Sequence, residues 1–182
     1  MSLKDYIGIN PTLETENLIL RTLCQEDIPA LSEWMADKAV YKFWGMNPVK
    51  NDKNPALMFD KPEKPTKSFH WGIISKADNK AMGEFWVYLI ENDRMAKVAV
   101  RLAPSYWGHG YAYEALTAVV RFCFTKTELQ RLWTDVHVDN HASYRTLEKA
   151  GFQREGRIRQ GKMVNMYCDY FLYGLLRSDI EV

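Results

Sequence analysis

The stretch LAPSYWGHGYA, from Leu102 to Ala112, links a strand-like segment to an amphipathic helix. Residues 95–103 carry the apolar pattern of a strand, and residues 110–125 place their apolar side chains on one side of a helix. Glycines in the link let the backbone bend and approach a ligand closely. The free N–H groups of a first helical turn point at one spot, where the helix dipole favours negative charge. The stretch therefore predicts an anion site that would suit a pyrophosphate.

The glycine pattern of this stretch differs from two common phosphate-binding motifs. It contains no Gly-Lys-Ser/Thr, so it is not a Walker loop, and Gly108-His109-Gly110 leads to Tyr113 rather than to a third glycine. Taken alone, the stretch also fits a tight strand-to-helix turn with no ligand.

The segments around the stretch indicate one α+β domain over residues 1–182, with a mixed sheet. Residues 69–103 predict an antiparallel meander, because polar turns separate their strand-like segments. The remaining strands are predicted at 18–21, 131–138, 152–158 and 163–176, with the last two joined around Gln160-Gly161-Lys162, and the helices at 25–39, 110–125 and 140–150. Residues 41–65 are proline-rich and predict a loop with one short helix.

Composition places the chain among globular proteins and excludes several classes. Hydrophobic residues are 47% and charged residues 26% of 182, which argues against disorder. A formal net charge of +1 gives no reason to expect nucleic-acid binding or attraction to anionic lipid. No stretch is long and apolar enough to span a membrane, and residues 1–10 lack the apolar run of a signal peptide. Three cysteines without CxxC spacing predict free thiols, no metal and a cytoplasmic protein.

A second stretch, from Asn140 to Phe152, joins a strand to a helix and then to another strand. Asn140 has the residue type of a helix N-cap, and Ser143 lies one turn further on. Together the two stretches resemble the Gcn5-related N-acetyltransferase (GNAT) superfamily. That family's pyrophosphate loop has Arg or Gln, two residues, Gly, one residue, then Gly or Ala, and here Trp107 takes the place of the Arg or Gln, ahead of Gly110 and Ala112. The family's Asn motif is matched by Asn140, Ser143, Glu148, Lys149, Gly151 and Phe152.

Further matches look like the RimJ/RimL-type branch of the family. They are Leu18-Ile19-Leu20-Arg21, the run from Tyr106 to Ala115, Ser143, and Asp169 ahead of Tyr173-x-Leu175-Leu176. Founding members of this branch acetylate the N-termini of ribosomal proteins, whereas many others have unassigned acceptors.

The resemblance implies acetyl transfer from acetyl-CoA to a primary amine, by direct attack within a ternary complex. It implies a twisted mixed sheet of about seven strands that splays between its fourth and fifth strands and has helices on its faces. The pantetheine would pair with the backbone of residues 101–103, the amides of residues 108–113 would hold the pyrophosphate, and Asn140 would reach the pantetheine arm. The implied cofactor-binding residues are Arg101, Leu102, Ala103, Trp107, Gly108, His109, Gly110, Tyr111, Ala112, Tyr113, Asn140 and Ser143.

Two positions depart from the family's usual chemistry. Leu147 stands where many members have a tyrosine that protonates the leaving thiolate, and Ser143 is predicted to take over that role, with Tyr144 as a weaker candidate. Lys97 stands where the fourth strand often carries a glutamate. Glu84, acting through water, is then the first candidate for the general base.

Other residues have less specific roles. His70 and His137 are alternative bases, because histidine titrates near neutrality. Glu114 matches the branch, but its predicted role is only to favour the helix dipole, and Asp169 is predicted to be structural.

The acceptor is predicted to approach the face that carries the first helix and the loop after it, lined by Tyr41, Phe43 and Trp44, with Trp34 nearby. Core packing is the alternative role for these aromatics. The acceptor itself stays open. A protein N-terminus fits the branch, whereas a lysine-rich loop (Lys50, Lys53, Lys61, Lys64, Lys67) favours a small or acidic molecule. A catalytically silent CoA-binding module is an alternative function. The chain is predicted to be a monomer or a homodimer.

Overall fold

The computed structural model describes Tyr6, residues 10–44 and residues 68–180. Its strands are β1 (Leu13–Glu14), β2 (Leu18–Arg21), β3 (Phe69–Ser75), β4 (Ala81–Glu91), β5 (Met95–Leu102), β6 (Arg131–His137), β7 (Gln153–Met163) and β8 (Met166–Leu176). Its helices are α1 (Ile28–Met35), α2 (Lys38–Tyr41), α3 (Tyr111–Lys126) and α4 (His141–Lys149). No helix in the described part of the chain is long and apolar enough to cross a membrane.

The sheet has eight strands in the order β1-β2-β3-β4-β5-β6-β8-β7. The predicted mixed sheet with flanking helices is confirmed, and the two-residue β1 adds a strand that the sequence pattern did not indicate. All neighbouring strands pair antiparallel except β5 and β6, which are parallel.

The parallel pair is short. Strands β5 and β6 pair through Met95↔Arg131, Ala96↔Leu132 and Lys97↔Trp133, and no further. Beyond Lys97, β5 continues beside β4 as far as Leu102, and β6 continues beside β8 as far as His137. The two strands therefore diverge after the third pair and leave a V-shaped gap in the sheet. This is the predicted place, because β5 and β6 are the fourth and fifth strands when the added β1 is not counted.

Local signals set the two helices that border this gap. Gly110 caps α3 in the left-handed conformation, with φ of 85°, and the helix ends where Thr127 turns extended. Asn140 caps α4 through its side chain, and Gly151, with φ of 90°, stops the chain from continuing as a helix. The apolar side of α3, which includes Val119 and Cys123, packs in the main core against the sheet.

Two predicted elements differ from the structure. The helix expected over residues 25–39 is broken, because the side chain of Asp37 accepts a hydrogen bond from the Ala39 N–H and starts α2 anew. The closing hairpin was predicted to turn at residues 160–162. It turns instead at 164–165, and the positive φ of Gln160 belongs to an irregular pairing within β7.

Candidate active site

A cavity of about 780 Å³ occupies the gap between β5 and β6. Its walls come from both strands, from the glycine loop with the start of α3, and from the start of α4. The lining is completed by the hairpin turn at Met163 and Val164, by Phe85 and Tyr88 of β4, and by Ala39, Val40, Lys42, Phe43 and Trp44. The cavity therefore brings together most elements that the sequence singled out.

The backbone that faces the gap is not the part of β5 that was predicted. The N–H of Ala103 donates to the carbonyl of Met82 on β4, and the carbonyl of Ala103 accepts from Tyr106. Because antiparallel pairing alternates, Arg101 also turns its backbone groups toward β4. The gap-facing groups are those of Val98, Val100 and Leu102, so the prediction of Arg101 and Ala103 as backbone partners for the pantetheine is corrected.

The glycine loop presents an open anion cradle. Gly108 and Gly110 have φ of 79° and 85°, and a Cβ built on either would meet no atom within 4 Å. The amides of Tyr111, Ala112 and Tyr113 begin α3 and have no carbonyl one turn back to bond. All of these residues line the cavity. Their N–H groups and the helix dipole suit a phosphate.

His109, also predicted as a cofactor residue, is not among the residues that line the cavity. Its ring stacks on that of Tyr111 at 5.7 Å. The side chain thus packs on the loop, beside the cradle.

Trp107 connects the loop to β5. Its indole Nε1 donates to the carbonyl of Leu102 at 2.8 Å, while the ring stays 47% exposed at the cavity wall. The indole therefore takes up one of the gap-facing acceptors of β5.

Helix α4 presents polar groups to the cavity from its first turn. Asn140 Oδ1 accepts the N–H of Ser143 at 3.3 Å, and both residues line the cavity. The Asn140 amide nitrogen keeps two donors for other partners. Leu147 is buried and lines the cavity one turn later, so that position offers only apolar contact. Tyr144 is not among the lining residues and packs against Phe171.

Glu84 lies on β4 outside the cavity, with its side chain fully buried. Its carboxylate accepts from Arg101 Nε at 2.8 Å and from Arg101 Nη2 at 2.5 Å, and it lies 2.8 Å from His70 Nε2. Burial acts to raise the pKa of Glu84, but the bond to His70 and the charge of Arg101 outweigh it and hold the pKa below its usual value. A carboxylate held in this way is a weak base, and Glu84 is not among the described residues that line the cavity.

His137 does line the cavity, on β6. Its Nδ1 accepts the backbone N–H of Asp139 at 3.1 Å, and its ring lies 5.2 Å from that of Phe43. When Nδ1 of a neutral imidazole accepts, Nε2 carries the proton. The neutral ring therefore acts as a donor at Nε2, and Nδ1, which also lies 3.7 Å from the carboxylate of Asp139, is engaged by that residue.

Lys97 and Asp135 form an ion pair in the cavity wall. Lys97 Nζ lies 2.7 Å from the carboxylate of Asp135, and both side chains are mostly buried. The ammonium also lies 5.0 Å from the ring centre of Trp133 and 5.8 Å from that of Tyr88.

Two of the three predicted acceptor residues reach the cavity. Phe43 and Trp44 line it, whereas Tyr41 is buried and packs in a second core cluster with Trp34. Tyr41 and Trp34 instead surround the guanidinium of Arg101, at 5.5 Å and 5.4 Å. The lysine-rich part of the loop lies outside the described residues.

Two further acidic residues have structural contacts. The carboxylate of Glu114 accepts from the backbone and side chain of Asn17, which ties the start of α3 to the turn before β2. Asp169 pairs with Arg157 and accepts the N–H of Gln160. Among the described residues, no group of three or more His, Cys, Asp or Glu side chains is placed to hold a metal ion.

Several lining residues escaped sequence reasoning. Val98 and Val100 look like ordinary strand apolar residues, and only their register with β4 reveals a free backbone edge. Asp135 sits in an alternating strand, where a solvated acid is expected. Val164 is an ordinary apolar residue by sequence. It stands out only by its φ of 54°, which is unusual for a β-branched residue.

Comparison with known proteins identifies the class. Residues 17–153 match the family described as acetyltransferase (GNAT) domain, and the chain belongs to this family. It is 30% identical over 154 residues to an uncharacterized N-acetyltransferase, YoaA, of Bacillus subtilis, across 82% of this chain and 87% of that protein. The enzyme is thus an acyl-CoA-dependent N-acetyltransferase.

Two solved structures share the fold at low identity. One is a spermidine N-acetyltransferase from Vibrio cholerae in complex with CoA and spermine, with a TM-score of 0.77, 19% identity, and coverage of 91% of this chain and 98% of that one. The other is RimL, a ribosomal L7/L12 alpha-N-protein acetyltransferase in complex with coenzyme A, with a TM-score of 0.73, 20% identity, and coverage of 91% and 98%. The fold is therefore shared by enzymes with quite different acceptors.

Proposed function

We propose that the protein acetylates the α-amine of a protein or peptide N-terminus, using acetyl-CoA. The observation that carries this proposal is the lack of a ready base among the described residues that line the cavity. The carboxylate of Asp135 is paired with Lys97, and His137 has its proton on Nε2 when neutral. An acceptor amine must then arrive largely neutral by its own chemistry.

The amine pKa separates the acceptor classes. An α-amino group titrates near 7.7 and a lysine-like primary amine near 10.4, so at pH 7.7 about half of the former but roughly 0.2% of the latter is neutral. A site without a strong base favours the first class by about two orders of magnitude in reactive species. A polyamine would need a base that the described cavity residues do not supply.

In this proposal acetyl-CoA lies in the gap and bonds backbone groups of β5 that pair with no neighbouring strand. Its pantetheine arm would bond the free backbone of Val98 and Val100, and its pyrophosphate would lie on the amides that begin α3. A β5 amide would donate to the thioester carbonyl as the amine attacks it. The C–S bond then breaks, the nitrogen gives up one proton to water, and the Ser143 hydroxyl or a water bound to it would protonate the thiolate, after which solvent returns a proton to the serine.

A competition between three acceptors tests the function. The first is a lysine-free peptide with a free N-terminus, the second is the same peptide blocked at its N-terminus and given one lysine, and the third is spermidine. Mass spectrometry should find one added acetyl group chiefly on the first. Faster acetylation of the blocked peptide or of spermidine would refute the proposal, and no transfer to any amine would favour a silent CoA-binding module.

The two α4 residues should separate kinetically. Ser143→Ala should lower kcat by about 10² or more with little change in the KM for acetyl-CoA, because thiolate protonation acts in the transition state. Asn140→Ala should raise that KM. A kcat for Ser143→Ala within about twofold of wild type would leave Ser143 as a cap neighbour and make the leaving step unassisted.

We further propose a cytoplasmic location, which the free thiols of Cys24, Cys123 and Cys168 support. That residues 1–182 act as one domain, as a monomer or a homodimer, stays a prediction.

A further inference from the structure

The Lys97–Asp135 pair sits where the sheet opens. Lys97 is in the last pair that joins β5 to β6, opposite Trp133. Asp135 lies two residues beyond Trp133 and so on the same face of β6. The ion pair therefore reaches across the gap immediately after the strands separate, and both side chains line the cavity.

The pair controls the charge that an acceptor meets. Asp135 is the one carboxylate among the described residues that line the cavity, and its side chain is 19% exposed. The side chain of Lys97 is 10% exposed. Its ammonium occupies the position from which a cationic acceptor would have to bind Asp135. Glu84 cannot substitute, because it is buried outside the cavity and bonded to Arg101.

We propose that Lys97 sets acceptor selectivity by neutralising Asp135, so that polycationic amines are disfavoured and singly charged or neutral N-termini are accepted. This inference rests on the proposed function and names the residue pair behind it. Without Lys97, the Asp135 carboxylate becomes a site for a second ammonium of the acceptor. Without Asp135, the lysine becomes a site for an acceptor carboxylate.

A purely structural role for the pair makes a different prediction. If the ion pair only fastens β5 to β6, removing either charge lowers stability and slows transfer to every acceptor by the same factor. A selectivity role instead changes the ratio of kcat/KM between acceptors: loss of Lys97 favours cationic acceptors, and loss of Asp135 favours acidic ones.

Lys97→Gln tests the proposal with a side chain that can still donate a hydrogen bond to Asp135. Its ratio of kcat/KM for spermidine over a neutral tetrapeptide should rise at least about tenfold over wild type, since a partly buried ammonium–carboxylate contact is worth about that much. In the double variant Lys97→Gln/Asp135→Asn the rise should disappear. Asp135→Asn alone should raise the ratio for a peptide with glutamate after its first residue over the neutral tetrapeptide, also about tenfold.

The outcomes separate this inference from the proposed function. The selectivity role is overturned if both ratios of kcat/KM stay within about twofold of wild type, whatever the wild type prefers. These are spermidine over the neutral tetrapeptide in Lys97→Gln, and the glutamate peptide over the neutral tetrapeptide in Asp135→Asn. A wild type that itself prefers spermidine overturns the proposed function. If a variant does not turn over, calorimetry of spermidine binding to the CoA-loaded proteins makes the same comparison, and unchanged affinity in Lys97→Gln also overturns the inference. Should Lys97→Gln fail to fold, Asp135→Asn decides alone.

Discussion

Replacing Glu84 by glutamine tests whether this buried acid holds the acceptor face together. The glutamine keeps the shape of the side chain but removes the charge that accepts two hydrogen bonds from Arg101, at 2.8 Å and 2.5 Å. The Arg101 guanidinium would remain enclosed, with Trp86 at 4.9 Å among the rings around it. An uncompensated charge would then stay buried.

Removing one partner of a buried ion pair typically costs about 3–5 kcal/mol. For a domain of this size, each kcal/mol lowers Tm by about 2–4 °C, so Glu84→Gln should melt roughly 6–20 °C below wild type. The pH dependence has a defined sign, because the folded protein lowers the pKa of Glu84. Its stabilisation is complete above the unfolded pKa of about 4.3 and is lost as pH falls through the lower folded value.

Urea unfolding measures the contribution of Glu84 to stability, and initial-rate kinetics on the same preparations measure its contribution to catalysis. Glu91→Gln is the matched control, since Glu91 is exposed at the end of the same strand, and it should change stability by no more than about 0.5 kcal/mol. A Glu84→Gln protein within about 1 kcal/mol of wild type would refute the buried-pair reasoning. A loss of about 10²–10⁴ in kcat at unchanged stability would instead support Glu84 as the general base.

Three further variants test the cavity walls. Gly110→Val should abolish CoA binding measured by calorimetry, because valine resists a φ of 85° and its side chain would enter the phosphate cradle; unchanged affinity in a folded variant would contradict the cradle. Trp107→Phe should lower the free energy of unfolding in urea by about 0.5–1.5 kcal/mol, because it leaves the Leu102 carbonyl without its donor. The CoA affinity should stay within about threefold of wild type, and a tenfold or larger loss of CoA affinity would mean that the indole itself holds the cofactor. Val164→Asn should stabilise the protein by up to about 1 kcal/mol, since asparagine tolerates a φ of 54°, and a lower Tm would show that the valine contacts outweigh the strain.

The predictable features were local ones. The glycine pair that opens α3 and the Asn140 cap of α4 follow from residue types within a few positions of each other, and the structure has both helices there. The gap between the strands followed from the family resemblance. Local residue types therefore place two walls of the cavity, and the resemblance supplies the gap between them.

The features that sequence reasoning missed depend on contacts between distant segments. Which β5 amides face the gap is fixed by the bond from Ala103 to Met82 across two strands. Glu84 looked available on its strand, and its burial with Arg101 comes from the packing of neighbouring elements. The pairing of Lys97 with Asp135 needs the register of two strands that are far apart in the chain. Spacing in a sequence carries none of this.

The junction between β5 and β6 rests on three residue pairs. The panels β1–β5 and β6–β8 share few backbone bonds, so much of their cohesion must come from side chains and from whatever fills the gap. In the proposed binding mode, the co-substrate acts as a splint as well as a reagent. At a concentration a hundred times its Kd it would add about 2.7 kcal/mol to the free energy of unfolding, and this added stability would be lost when the product CoA leaves at the end of each turnover.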